Sequence, residues 1–107
     1  MWYEKAAAQE DAGALYNLGN MHYNGQGGPQ DFTRARELYE LAAAQGYAEA
    51  MVNIGTLLGN GEGVEQDLNE AMRWFLKAKA HGEDVSGQVE WILDQRRLQK
   101  AASSSKK

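Results

Sequence analysis

The sequence NGQGGPQD, residues Asn24–Asp31, has the composition of a loop that could hold a phosphate. Its glycines would let backbone amides approach an anion, and a helix-like segment follows it, so nucleotide binding is the first chemistry to consider. A second copy, NGEGVEQD, occupies residues Asn60–Asp67 at an offset of 36 residues. A catalytic phosphate loop is not expected twice in one domain at a fixed spacing. The glycines are therefore predicted to serve the scaffold.

Other reactive side chains show no catalytic spacing. His22 and His81 fall near predicted helix ends in different repeats, so they do not suggest a metal site. The serines lack a nearby base and acid, and paired carboxylates such as Glu62 and Glu65 fit solubility better than proton transfer. Cysteine is absent, which removes thiolate ligands and disulfides. The sequence predicts no catalytic residue, no metal and no cofactor.

The charge is unevenly distributed along the chain. Residues 1–95 carry 15 acidic and 6 basic side chains, whereas residues 96–107 carry five basic ones and no acid. An acidic body disfavours nucleic acid as a partner. The basic end is predicted to be a disordered tail. No apolar run is long enough for membrane insertion, and the lack of cysteine favours a reducing, cytoplasmic compartment.

The offset of 36 residues extends well beyond the two loops. Each period is predicted to contain two helices, the first near Ala12–Asn24 and near Ala48–Asn60, with Asn-Gly at its end. The second helix is predicted to begin at Asp31 or Asp67, because aspartate caps exposed amides. The matched positions are Leu18-Gly19 with Ile54-Gly55, Ala35 with Ala71, Tyr39 with Phe75, Ala42 with Ala78, and Gly46 with Gly82.

Gly19 and Gly55 lie inside the predicted first helices, where glycine costs roughly 1 kcal/mol relative to alanine. A close helix crossing explains that cost, and Ala35 and Ala71 are the predicted small partners. Aromatic side chains such as Tyr39 are expected to fill the space between successive helix pairs.

The two blocks that begin at ALYNLGNMHYNGQG and AMVNIGTLLGNGEG resemble Sel-1-like repeats, which are relatives of tetratricopeptide repeats. The chain departs from the family where His22 and Leu58 replace a tyrosine. The resemblance implies an all-α solenoid of stacked antiparallel helix pairs with a C-terminal capping helix. The expected units are the second helix of a truncated repeat (1–11), repeat 1 (12–46), repeat 2 (47–82), the capping helix (83–100) and the disordered tail (101–107).

The resemblance also implies that the first helix of each pair lines a concave face, which makes the chain a protein-interaction module without catalysis. Two alternatives are a regulatory or docking domain cut from a larger enzyme and a self-association module, with a homodimer through the exposed N-terminal helix. The expected ligand is a protein or peptide. The predicted partner-binding residues on this face are Tyr16, Asn20, Tyr23, Asn24, Val52, Thr56, Asn60, Gln88, Gln95 and Arg96. The same face is predicted to include Gly13, Glu49, Gly59 and Ile92.

Overall fold

The computed structural model describes residues 11–105, and these residues form helices without any strand. The all-α prediction is confirmed. The truncated helix predicted at 1–11, and with it the predicted homodimer contact, falls almost entirely outside the described residues. The helices are α1 (Ala12–Asn24), α2 (Phe32–Ala44), α3 (Ala48–Asn60), α4 (Leu68–Ala80) and α5 (Ser86–Ser105).

Aspartate caps begin three of the helices. The Asp31 carboxylate accepts a hydrogen bond from the Arg34 amide at 3.0 Å, and Asp67 accepts one from the Glu70 amide at 2.9 Å. Asp11 caps α1 in the same way. The Glu70 carboxylate, in the first turn of α4, accepts a hydrogen bond from Arg73 Nε at 2.7 Å.

Glycines in the left-handed conformation end the helices. Gly25 and Gly61 follow α1 and α3 with φ of 72° and 70°. Gly46 and Gly82 follow α2 and α4 one residue past the cap, with φ of 85° and 100°. Every positive φ among the described residues belongs to a glycine, so the predicted role of these residues in backbone geometry is correct.

The two glycine-rich loops make the same hydrogen bonds at the repeat offset. The Asp31 amide donates to the His22 carbonyl at 2.8 Å, and the Asp67 amide donates to the Leu58 carbonyl at 2.9 Å. These bonds satisfy carbonyls at the end of the preceding helix. The loops therefore close helices, as the repeated sequence predicted.

A further pair of matched bonds involves glutamine side chains. Gln30 Nε2 donates to the Tyr23 carbonyl at 2.8 Å, and Gln66 Nε2 donates to the Gly59 carbonyl at 2.9 Å. The two hairpins thus repeat at the level of individual atoms.

The core lies within each helix pair, between α1 and α2 and between α3 and α4. It continues where α2 meets α3 and where α4 meets α5. Its largest buried side chains are Tyr39, Phe75, Leu15, Leu38, Met51, Ile54, Leu57, Ile92 and Val85. Helices α1 and α3 each pack against the second helix of their own pair, α3 also packs against α2, and α5 packs against α4. Helix α3 lies beside α1 through the Asn20–Asn53 hydrogen bond, and α5 lies beside α3 through Trp91 and Gly59.

The contacts at the helix crossing in each pair differ from the prediction, which placed glycine of the first helix against alanine of the second. A Cβ at Gly19 would lie 2.7 Å from Tyr39 Cε1, and one at Gly55 would lie 2.5 Å from Phe75 Cε1. The nearest partner is therefore an aromatic ring of the second helix. Ala35 approaches Gly19 only through its backbone oxygen, at 3.3 Å.

The exposed face of α1 departs from the repeat pattern. Ala14 and Met21 are exposed, whereas their counterparts Ala50 and Leu57 are fully buried. In α3 that face packs against α2, the second helix of the preceding pair. Residues 1–10, which precede α1 in the chain, lie outside the described residues.

Helix α5 covers the last helix pair and is longer than predicted. Val85 and Ile92 are buried, and the ring of Trp91 lies over Gly59, where a Cβ would meet it at 2.5 Å. The helix continues to Ser105, so the predicted end at residue 100 is wrong, and 101–105 are helical where a disordered tail was predicted. Leu98 is 61% exposed, so the C-terminal half of α5 extends beyond the packed core.

Candidate functional site

Three adjoining pockets lie along the face formed by α1, α3 and α5, and we call them together the groove. The central pocket has a volume of about 350 Å³ and is lined by Asn20, Tyr23, Asn24, Tyr39, Asn53 and Thr56. The C-terminal pocket, about 460 Å³, is lined by Thr56, Asn60, Gly87, Gln88 and Trp91. The acidic pocket, about 110 Å³, is lined by Tyr16, Glu49, Val52, Asn53, Glu83, Asp84 and Gln88.

Shared side chains make the three pockets continuous. Thr56 borders both the central and the C-terminal pocket, and Asn53 borders both the central and the acidic pocket. Gln88 joins the acidic and C-terminal pockets. Because α1, α3 and α5 each contribute, the groove depends on the stacking of successive repeats.

A hydrogen-bonded asparagine pair forms the floor of the central pocket. Asn20 Oδ1 accepts hydrogen bonds from the Tyr39 hydroxyl at 2.6 Å and from Asn53 Nδ2 at 3.2 Å. Burial is the main cause that raises the pKa of Tyr39 to about 12, so its hydroxyl stays protonated and donates at neutral pH. Asn53 donates through Nδ2 in this pair, and its side-chain carbonyl oxygen can accept a hydrogen bond from a ligand in the pocket.

Tyr23 joins the first repeat to the loop of the second. Its hydroxyl donates to both carboxylate oxygens of Glu62, at 3.0 and 3.3 Å, and Asn60 Nδ2 donates to the same group at 3.2 Å. The pKa of Tyr23 is raised by burial first and then by the hydrogen bond to Glu62 and its charge. Glu62, expected to serve solubility, therefore has a defined position beside two groove residues, Tyr23 and Asn60.

Tyr16, which lines the acidic pocket, packs against two other tyrosine rings. The ring centroids of Tyr16 and Tyr39 are 5.8 Å apart, and those of Tyr16 and Tyr47 are 5.2 Å apart, both in tilted arrangements. Such pairs contribute about 0.5–1.5 kcal/mol beyond burial. The pKa of Tyr47 is raised by partial desolvation and then by the negative charge of Glu49. The two neighbouring rings support Tyr16 at the edge of the acidic pocket.

The groove offers binding groups rather than a catalytic arrangement. Across residues 11–105, no group of three or more His, Cys, Asp or Glu side chains is placed to hold a metal ion. His81 contacts the Lys77 carbonyl through Nδ1 at 3.0 Å, away from the groove. Within the described part of the chain, no helix has the length and apolarity to cross a bilayer. Amides, hydroxyls, aromatic faces and carboxylates are what a ligand would meet.

The repeated hairpins match a known family. The family model described as Sel1 repeat matches residues 1–11, 12–47 and 48–83. The chain belongs to the Sel1 repeat family. Members of this family are generally protein-interaction modules, and the fold is typically a non-catalytic scaffold.

Two solved Sel1 repeat structures are similar to the chain. One is a Sel1 repeat protein from Oxalobacter formigenes, with 36% identity, a TM-score of 0.68, and coverage of 77% of this chain and 34% of that one. The other is c5321, a protective antigen of uropathogenic Escherichia coli with the same fold, with 38% identity, a TM-score of 0.69 and coverage of 77% and 18%. The chain thus spans about a third or less of these proteins. No curated protein matched the chain.

Most of the residues predicted on the concave face of the Sel1 repeats line the groove. These are Tyr16, Asn20, Tyr23, Asn24, Val52, Thr56, Asn60 and Gln88. Their role in binding stays a prediction. Gln95 lines none of the three pockets, and Arg96 lines a separate depression of about 490 Å³ beside Asp67 at the start of α4. The predicted role of Gln95 and Arg96 in partner binding also stays a prediction.

Several groove residues were not on the face predicted from the sequence, and Asn53 and Trp91 are two of them. Asn53 lies one helical turn before Thr56, so the spacing of three residues could have placed it on the same face. Trp91 was assigned to the apolar face of the capping helix, and it both packs on Gly59 and lines the C-terminal pocket. A large aromatic side chain can serve core and groove together, which its position in the sequence does not reveal.

Proposed function

We propose that this Sel1 repeat chain acts as an adaptor that binds an extended peptide segment of a partner protein in the groove, with no catalysis of its own. The observation that carries the proposal is the continuity of the three pockets across α1, α3 and α5. A continuous cleft with polar groups along its floor suits a chain segment better than a compact small molecule.

The chemistry of the floor favours a peptide backbone. An extended peptide presents N–H and C=O groups at every residue, and these need partners when they leave water. Asn53 and the Thr56 hydroxyl stand along the floor, while Tyr16 and Trp91 offer aromatic area for ligand side chains. Aromatic anchors with nearby polar groups are typical of protein-binding surfaces.

A substitution at the junction of the pockets tests the proposal. Thr56→Arg places a long side chain where the central and C-terminal pockets meet, and arginine is compatible with a helix. Thr33→Arg, at an exposed position near the start of α2, is the matched control with the same change of residue type. Peptides selected from a displayed random library against the natural chain are the probes.

We expect the selected peptides to bind the natural chain and the Thr33→Arg variant equally, and Thr56→Arg at least tenfold more weakly. Circular dichroism confirms that both variants keep their helical content. Equal affinity for the folded Thr56→Arg variant, or no selected peptides at all, would reject the groove as a peptide site.

A further inference from the structure

The lysine and arginine side chains of residues 11–105 line none of the three pockets of the groove. Helices α1 and α3 contain no lysine or arginine. The cationic residues within 11–105 are Arg34 and Arg36 on α2, Arg73, Lys77 and Lys79 on α4, and Arg96, Arg97 and Lys100 on the C-terminal half of α5. Lys79 is the one that borders Glu83 and Asp84, in a neighbouring depression.

Carboxylates line the groove or adjoin it. Glu49, Glu83 and Asp84 line the acidic pocket, and Glu62 accepts hydrogen bonds from Tyr23 and Asn60, which line the central and C-terminal pockets. The Ser86 amide and hydroxyl donate to Asp84 Oδ1 at 3.1 and 2.8 Å, and these bonds lower the pKa of Asp84. Its negative charge is thereby secured at neutral pH.

Among residues 11–105, Glu49, Glu62 and Glu83 form no ion pair, whereas the positive charge of Lys79 also helps to lower the pKa of Asp84. The ion pairs found among residues 11–105 are Arg34–Glu37, Arg73–Glu70 and Arg97–Asp94, all within single helices on other surfaces. A negative potential along a cleft with low-dielectric walls attracts a positively charged ligand. No lysine or arginine lines the groove, so a positively charged ligand would supply the missing counter-charge.

The side chains that line the acidic pocket are of the types that bind arginine. Tyr16 lines it together with Glu49 and Glu83, which places an aromatic face beside carboxylates. A guanidinium group can stack on such a face while it pairs with a carboxylate.

The distance from Glu49 to the Asn60–Glu62 contact sets the spacing of the ligand charges. Glu49 lies in the first turn of α3 and Asn60, which binds Glu62, is its last residue. At the rise of a helix these two positions are roughly 16 Å apart. An extended peptide covers that distance in about five residues.

We propose that the peptide bound in the groove is basic, with lysine or arginine at two positions about five residues apart. One cation lies in the acidic pocket and the other beside Glu62. The inference rests on the proposed peptide-binding function and adds the chemical class of the partner.

The test uses the same displayed random library and the double variant Glu49→Gln/Glu83→Gln. Its matched control is Glu40→Gln/Glu90→Gln, which removes the same charge from exposed positions outside all three pockets. Peptides selected on the natural chain should carry paired basic residues at the stated spacing. Their affinity should fall about fivefold in the groove variant, on the order expected for two exposed ion pairs, and stay unchanged in the control.

Added salt should weaken binding to the natural chain more than binding to the groove variant. Selected peptides that lack basic residues, yet lose affinity with Thr56→Arg, would overturn this inference while the groove stands. Equal losses in both double variants would also overturn it, since they would show a general charge effect. Peptide affinity that is unchanged by Thr56→Arg would reject the groove as the peptide-binding site.

Discussion

The close contact between Gly55 and the ring of Phe75 allows a quantitative prediction. A Cβ at Gly55 would lie 2.5, 2.8 and 2.9 Å from three ring carbons, whereas carbon atoms pack favourably at about 3.5–4.0 Å. Phe75 is completely buried, so its ring has no open side toward which to move. The substitution Gly55→Ala must therefore separate α3 from α4 or force the ring from its rotamer.

Two opposing effects decide the magnitude. Alanine in place of glycine favours a helix by about 1 kcal/mol. Overpacking of a filled core costs about 1–3 kcal/mol, and three short contacts place this site in the upper part of that range. We expect Gly55→Ala to lower the free energy of unfolding by about 1–2 kcal/mol.

Urea unfolding followed by circular dichroism measures this change. Gly87→Ala in the first turn of α5 is the control, because a Cβ there meets nothing within 4 Å, and we expect it to leave stability unchanged or slightly increased. In a double-mutant cycle, Phe75→Leu should reduce the cost of Gly55→Ala. A Gly55→Ala variant as stable as the natural chain would refute the view that the ring sets this helix crossing.

Two further predictions concern stability. Asp67→Ala should cost about 1 kcal/mol because the Glu70 amide loses its cap, whereas Asp67→Asn should retain most of the stability; equal urea midpoints for both would contradict this. Burial raises the pKa of Tyr39 from 10.0 to about 12, so the folded chain keeps a proton that the unfolded chain releases. The resulting contribution to the free energy of unfolding, roughly 2–3 kcal/mol, is complete below pH 10 and is lost as the pH rises toward 12. The free energy of unfolding should therefore fall less steeply with pH in the Tyr39→Phe variant.

Local signals in the sequence predicted the helix boundaries well. Asp31 and Asp67 are good caps, and Asn-Gly pairs end the first helices at Asn24 and Asn60, as the structure confirms. These effects act within a few residues and depend little on the rest of the fold. The offset between repeats then transferred each assignment from one hairpin to the other.

Features that depend on three-dimensional packing were less accessible. The sequence identified Gly19 as a close-approach position but named Ala35 instead of the Tyr39 ring, because spacing along a helix does not fix which side chain reaches across. Arg96 was assigned to the groove by extending a repeat that had already ended. The hydrogen bond from Tyr23 to Glu62 joins positions 39 residues apart, and no local pattern indicates it.

The short sequence separation of contacts between neighbouring helices has a consequence for folding kinetics. The helices with the main contacts follow one another along the chain: α1 with α2, α2 with α3, α3 with α4, and α4 with α5. Low contact order of this kind favours rapid folding, since little loop entropy is lost before contacts form. Either hairpin can start the process, and unfolding can begin from one end while the other hairpin remains formed.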